Sequence, residues 1–281
     1  MSTSAFRLGR STGMGLAGEA LTVLYVLLVL VFFIYPAAWI FIASFKTPET
    51  MFSDGPARFT VANYVSLMHT GFGRNMLNSF YLCLVSVLIS TAVSIAAAYC
   101  FSRMRFRGRN MLFGAVLLGQ TFPWIILVTP LFIFFARLGL LNNHLSLMVV
   151  YIAVTIPFSV YMLVGYLEGI PVSLDEAALI DGASHLQILV LIILPLMMPG
   201  VVATATYSFL VCWSEYLFAL AFLTTTELKT MPLVLQTFFG DNVVEWNHVM
   251  AASVLTTLPT LLIFLPVQSQ LTSGLGSGAV K

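Results

Sequence analysis

Glu215 is the one acidic residue set well inside a long apolar run of this chain. A charge at membrane depth is costly, so such a group faces a bundle interior, a water-filled cavity or a polar partner. Two kinds of chemistry fit it. It could line a path, pairing across subunits or meeting a hydroxyl of a polar solute. It could equally be a structural carboxylate hydrogen-bonded to a neighbouring helix. Gln120, Thr121 and Trp124 form a second semi-polar group, with Pro123 and Pro130 able to open the backbone around them. Tyr151, Thr155, Pro157, Ser159 and Tyr161 form a third. Either strip could border a cavity or simply hold helices together by hydrogen bonds. Asn78 and Ser79 suit bonding across helices better than solute contact.

A different chemistry is written between Glu168 and Gly200, a polar island in an oily sequence. Ser173 and Glu176 have the S-x-x-E spacing of a capping box, which marks a helix start just after Pro171. Asp175 and Glu176 then fall in the first turn, where negative charge suits the helix dipole. Gly182 can adopt the left-handed conformation that ends a helix. Ser184 with Gln187 offers a second box, and Pro195 is expected to interrupt the helix that follows. The reading is helix, glycine corner, helix, lying outside the bilayer. A helix resting on lipid would carry Lys and Arg, whereas anionic lipid would repel Asp175, Glu176 and Asp181. A protein partner offering basic residues fits better, and Ala177 and Ala178 would let two surfaces approach closely.

Catalytic and metal chemistry find little support. His69, His144, His185 and His248 are far apart, and no two stand at the i, i+4 spacing of metal ligands. Cys83, Cys100 and Cys212 all fall in apolar stretches and read as small buried hydrophobes. A phosphate-binding G-x-x-x-x-G-K-[ST] loop is missing from the sequence. A net charge of +1 with no basic patch interleaved with aromatics argues against nucleic acid as a partner.

The elements that must position these residues follow from composition. The chain has 281 residues, of which 59% are hydrophobic and 8% charged, with a mean hydropathy of +0.99. A soluble domain would be about one quarter charged. Six stretches approach the roughly 20 apolar residues a span requires: 21–45, 75–102, 111–135, 146–167, 196–222 and 248–270. The expected organisation is an all-α, polytopic membrane protein. It has a tail at 1–20, a six-span unit at 21–270 with the polar connection at 168–195, and a tail at 271–281. The first stretch is too long for the apolar core of an export signal and reads as a retained span.

Orientation follows from the basic residues. With the N-terminus in the cytoplasm, the inner segments hold Arg7, Arg10, Arg103, Arg105, Arg107, Arg109 and Lys281. The outer segments hold Lys46, Arg58, Arg74, Arg137 and Lys229. The local signal is the R-M-R-F-R-G-R run at 103–109. It fixes that loop inside, and parity then brings the 168–195 connection and both chain ends to the same side of the cell membrane.

Several of these residues also resemble a family. Glu176-Ala177-Ala178, then Asp181-Gly182-Ala183, then Leu194-Pro195 are similar to the EAA loop of ABC importer membrane subunits. Phe59, Thr60, Asn63 and Tyr64, then Asn78-Ser79, then Trp213, Glu215 and Tyr216 resemble the carbohydrate type, the second membrane subunit of maltose and glycerol-phosphate transporters. The ending Gly276-Ser277-Gly278-Ala279-Val280-Lys281 does so too. Ser214 stands where that pattern has Asn, and Leu191-Ile192-Ile193 fill a stretch where a basic residue is common.

The resemblance implies a non-catalytic permease in a membrane-lipid setting, working by alternating access. Its implied partners are a homologous second membrane subunit, a dimer of ATP-binding cassette ATPases and an extracytoplasmic solute-binding protein. No cofactor would be bound by this chain, ATP and Mg being held by the ATPase. The loop from Asp175 to Pro195 would couple to that ATPase, and Glu215, Gln120, Trp124 and Tyr151 would be candidates for the translocation path. A secondary transporter or channel working without ATP is the alternative, and it would place ionisable relays in several spans.

Overall fold

The computed structural model describes residues 16–53, 55–240 and 244–278, with side chains from Gly18 to Gln268. Arg7, Arg10, Asp241 and the Ala279–Lys281 ending lie outside the described residues. The described chain is helical, and its one β-bridge joins Lys46 to Phe59. The long helices are α1 (Leu16–Ala43), α3 (Phe72–Arg103), α6 (His144–Glu168), α9 (Leu194–Trp213) and α12 (Trp246–Gly278). Between them lie α2 (Ala62–His69), α4 (Arg109–Leu118), α5 (Trp124–Arg137), α7 (Ser173–Ile180), α8 (His185–Gln187), α10 (Leu217–Phe222) and α11 (Met231–Thr237).

Among the described residues, five helices are long and apolar enough to cross a membrane: Gly18–Ala43, Phe72–Arg103, His144–Glu168, His185–Trp213 and Trp246–Gln268. The expected span at 111–135 is not one helix. It divides into α4 and α5 around the non-helical residues 119–123, and at 1.5 Å per residue neither half alone reaches across about 30 Å of hydrocarbon. Pro123 explains the break, because it cannot donate a backbone hydrogen bond and holds an extended conformation (φ −61°, ψ 125°) ahead of α5. Pro130 sits within α5 without ending it.

The expected span at 196–222 needs two corrections. Its helix starts earlier, at His185, and runs unbroken through Pro195 to Trp213. The turn before the proline, Ile188–Ile193, is π-helical. That wider turn takes up the hydrogen bond and the space the proline ring disturbs. The helix then stops at Ser214, and α10 restarts at Leu217.

The core is built on α3 and α6, with α9 packed across both. At one end Phe72, Leu82, Leu147, Tyr151, Phe218 and Phe222 are fully buried together. At the other end Tyr99, Leu163, Leu167, Ile188, Ile193 and Met197 form a second cluster. Helix α1 leans on α12 and leaves most of its apolar side chains exposed, Phe32 by 74%.

Candidate functional site

The connection between α6 and α9 forms a compact corner. Gly182 has φ +85°, and the turn is closed by Ala183 N–H to Ala178 O (2.9 Å) and Gly182 N–H to Leu179 O (3.1 Å). That pair of bonds is a Schellman motif, in which a residue at positive φ satisfies the last helical carbonyls. A Cβ on Gly182 would meet nothing within 4 Å, so the backbone conformation, not space, calls for glycine. Ser184 then caps the next helix in a complete capping box. Gln187 N–H donates to Ser184 Oγ at 3.4 Å, and Ser184 N–H donates to Gln187 Oε1 at 2.8 Å.

The first box is not formed. Ser173 is itself the first helical residue, and Val172 occupies the cap position in a helical conformation (φ −65°, ψ −23°) with no side-chain cap bond. A cap residue must be extended for its oxygen to turn back onto the first turn, and here the helix begins one residue too early for Ser173 to do so.

The acidic first turn faces two ways. Glu176 points outward and is exposed, as are Ala177, Asp181 and Pro195, while Ala183 and Leu194 are half-buried and Ala178 is buried. Asp175, by contrast, is 5% exposed, and its Oδ2 lies 3.2 Å from Nε of Arg103, the last residue of α3. The direction of approach does not satisfy hydrogen-bond geometry for either side chain, so the contact is an ion pair at close range. Arg103 directs Nη2 to Ile170 O (2.7 Å) and Leu167 O (3.3 Å), closing the end of α6. Beside it Tyr99 and His185 meet, hydroxyl to Nδ1, at 3.4 Å. The outward tip of the corner is apolar, with Ile180 86% and Leu186 69% exposed.

Glu215 sits in the break between α9 and α10 and is 4% exposed. Its Oε1 accepts from Phe218 N–H at 2.8 Å, and its Oε2 accepts from Ala219 N–H at 3.1 Å and from Tyr151 Oη at 3.2 Å. The carboxylate therefore caps the first turn of α10 and ties it to α6. Of the two readings open in the sequence, this arrangement matches the structural one, and it brings Glu215 and Tyr151 together.

Gln120 and Trp124 lie elsewhere. They border a partly open cavity of about 490 Å³ between α5, α6 and α9, whose other polar lining comes from Thr155, Tyr207 and Ser208. Glu215 and Tyr151 do not line it.

At the far end from the corner, polar side chains hold the segment after α10. Asn75 Nδ2 donates to Thr226 O and Lys229 O, and Asn78 Nδ2 donates to Glu227 O. Ser79 Oγ accepts from Met231 N–H, and Asn142 Oδ1 accepts from Thr224 and Thr225 N–H. Asn78 and Ser79 thus make the protein contacts expected of them. The roles of Arg103, Asn75 and Asn142 were not visible in the sequence. Arg103 stood out there only as charge, and nothing in the spacing of an isolated asparagine shows which backbone it will reach.

Comparison with known proteins agrees with this architecture. Residues 89–275 match the family model described as binding-protein-dependent transport system inner membrane component. The trehalose/maltose transport system permease protein MalG of Thermococcus litoralis is 35% identical over 93% of this chain and 96% of its own length. The sulfoquinovosyl glycerol transport system permease protein SmoH of Agrobacterium fabrum is 32% identical over 94% and 95%. The diacetylchitobiose uptake system permease protein DasC of Streptomyces coelicolor is 31% identical over 88% and 92%. In fold, the chain is similar to a chain of a bacterial ABC transporter involved in import of the acidic polysaccharide alginate. The TM-score is 0.79 at 22% identity, covering 92% of this chain and 98% of that one. The chain belongs to the family of binding-protein-dependent transport system inner membrane components, and it is a membrane-spanning subunit of an ABC importer.

Proposed function

We propose that this chain is one of two homologous membrane subunits of an importer for a sugar or a related polar solute, driven by a separate ATPase pair. The solute class follows the relatives, named for trehalose and maltose, sulfoquinovosyl glycerol and diacetylchitobiose. An extracytoplasmic binding protein delivers the solute, and this chain binds no cofactor, ATP and Mg belonging to the ATPase. The α4–α5 pair crosses as one broken span, which gives six spans with both ends in the cytoplasm. The arginine run at 103–109 supports that orientation.

The observation that carries this reading is the α7–α8 corner. It is locked by a Schellman turn and a capping box, and it presents Ile180 and Leu186 flanked by Glu176 and Asp181. An apolar tip with an acidic rim suits an apolar cleft edged by Lys or Arg on a protein partner. Glu176, Ala177, Asp181, Gly182 and Ala183 form or shape that contact surface, while Asp175, Ala178, Leu194 and Pro195 support it from behind. The cavity beside Gln120 and Trp124 is the candidate share of the translocation path. A secondary transporter would need proton- or ion-relaying groups in several spans; Glu215 has its lone pairs committed to α10 and Tyr151.

Reconstitution tests the reading. The chain co-expressed with its partners is expected to purify with the ATPase and to show solute-stimulated ATP hydrolysis in liposomes. Uptake that proceeds without the ATPase would replace this reading with the secondary-transporter one.

A further inference from the structure

The α7 helix is held to the rest of the chain by few connections. A four-residue linker, Gly169–Val172, joins it to α6, the glycine corner joins it to α8, and Ala178 packs among Ile188 and Ile193. Its one charged anchor is the pair between Asp175 and Arg103, both side chains 7% exposed. Arg103 is also the residue that closes the end of α6 through Ile170 O and Leu167 O. One guanidinium therefore stands where three helices meet: it ends α3, caps α6 and pairs with α7. Arg suits this junction, since its planar fork can serve two carbonyls and a carboxylate at once.

We propose that the Arg103–Asp175 pair is a fixed joint that makes α7 move as one body with the ends of α3 and α6. It is a positioning pair, and it rests on the reading of the α7–α8 corner as the ATPase contact. A tip pushed by a partner reaches α9 through the corner, but without the joint α7 would swing on the 169–172 linker and the push would be lost before reaching α3 and α6. With the joint closed, the same push displaces α3 and α6, the two helices that form the centre of the bundle. A charged joint also fits the chemistry of its neighbourhood. Breaking a buried pair from either side leaves an uncompensated charge in a low-dielectric site, so separation is resisted more strongly than for an apolar contact of the same size.

The test uses the complete complex with its ATPase, in a background lacking Cys83, Cys100 and Cys212. Spin labels go on Ser173→Cys, exposed at the start of α7 and outside the proposed contact surface, and Arg105→Cys, exposed just beyond α3. Their separation is measured by pulsed electron resonance without nucleotide and after trapping with ATP and vanadate. With the native pair, one narrow distance is expected in both states. With Asp175→Asn, or with Arg103→Met from the other side, the nucleotide-free distance is expected to persist, and trapping is expected to add a second, longer population. The ATPase is expected to stay bound in each variant. A distance that changes on trapping with the native pair would overturn the joint, and so would variants that lose thermal stability yet keep one distance throughout. Failure of the functional reading looks different, because the ATPase would then not co-purify even with the native chain.

Discussion

Gly200 of α9 lies against the ring of Tyr166 of α6, where an added Cβ would stand 2.5 Å from Tyr166 Cγ. No carbon tolerates that approach, so the two helices cross at this point because one of them has no side chain. Gly200→Ala is expected to force the helices apart and to cost about 1–3 kcal/mol, as overpacking does. Thermal unfolding in detergent measures it. Pairing the change with Tyr166→Ala removes the clash, so the double variant should lose less than the sum of the two single losses. Simple additivity would show that the contact at Gly200 does not set the crossing.

Replacing Glu215 by Leu would leave Phe218 N–H, Ala219 N–H and the Tyr151 hydroxyl without their acceptor. Each such group costs about 1–3 kcal/mol when buried and unpaired. A clear loss of thermal stability is expected, with uptake falling alongside. Glu215→Gln is expected to be milder, since its amide oxygen can still take one N–H. Tyr151→Phe should cost least, about 0.5–1.5 kcal/mol, because it removes a single bond and leaves the α10 cap in place. A Leu variant as stable as the native chain would contradict the capping role.

At Gly182 the open space around the missing Cβ separates strain from clash. Gly182→Asn is expected to be tolerated, because Asn visits the left-handed region more readily than other residues. Gly182→Val is expected to weaken ATPase co-purification several-fold while membrane insertion continues, since a β-branched residue is poorly accommodated at φ +85°. Equal ATPase binding by the two variants would show that the corner angle is not what the partner reads.

Glu176→Lys leaves the fold untouched, the side chain being exposed, but reverses a charge on the rim of the tip. Co-purification of the ATPase is expected to drop, and more steeply at low salt than at high salt, because the repulsion it introduces is screened. Full binding at low salt would remove Glu176 from the interface.

Orientation has its own test. Single cysteines at Ser184 and Ser53, both exposed, are expected to react from opposite sides, Ser53→Cys alone with an impermeant reagent added outside. The reverse pattern would invert the topology.

What the sequence showed and what it hid divide along physical lines. The glycine corner and the Ser184–Gln187 box were legible because each is a local pattern whose partners lie within a few residues. Five long helices were legible for the same reason, as sustained apolar runs. The split of 111–135 was only half legible. Pro123 announced a weak point, yet Pro130 carries the same signature and lies quietly inside α5. Asp175 was the instructive miss. It and Glu176 look alike on paper, both acids in a first turn, and only the arrival of Arg103 from another helix decides which one turns inward. The joining of Glu215 to Tyr151 depends in the same way on two helices brought together from far apart in the chain.

The unbroken helix from His185 to Trp213, in which α8 and α9 are joined through the π-helical turn, makes a lever. Its 29 residues give a rod about 43 Å long at 1.5 Å per residue, and its near end is the corner that carries Ile180 and Leu186. Tilted about its middle by roughly 10°, such a rod would carry each end through about 4 Å. At the far end the rod stops at Ser214, and the segment beyond it is fastened to Asn75, Asn78, Ser79 and Asn142. The three non-helical residues 214–216 therefore part the rod from α10, and a tilt of the rod would bend the chain there while α10, gripped by the Glu215 carboxylate, stays moored to the opposite rim.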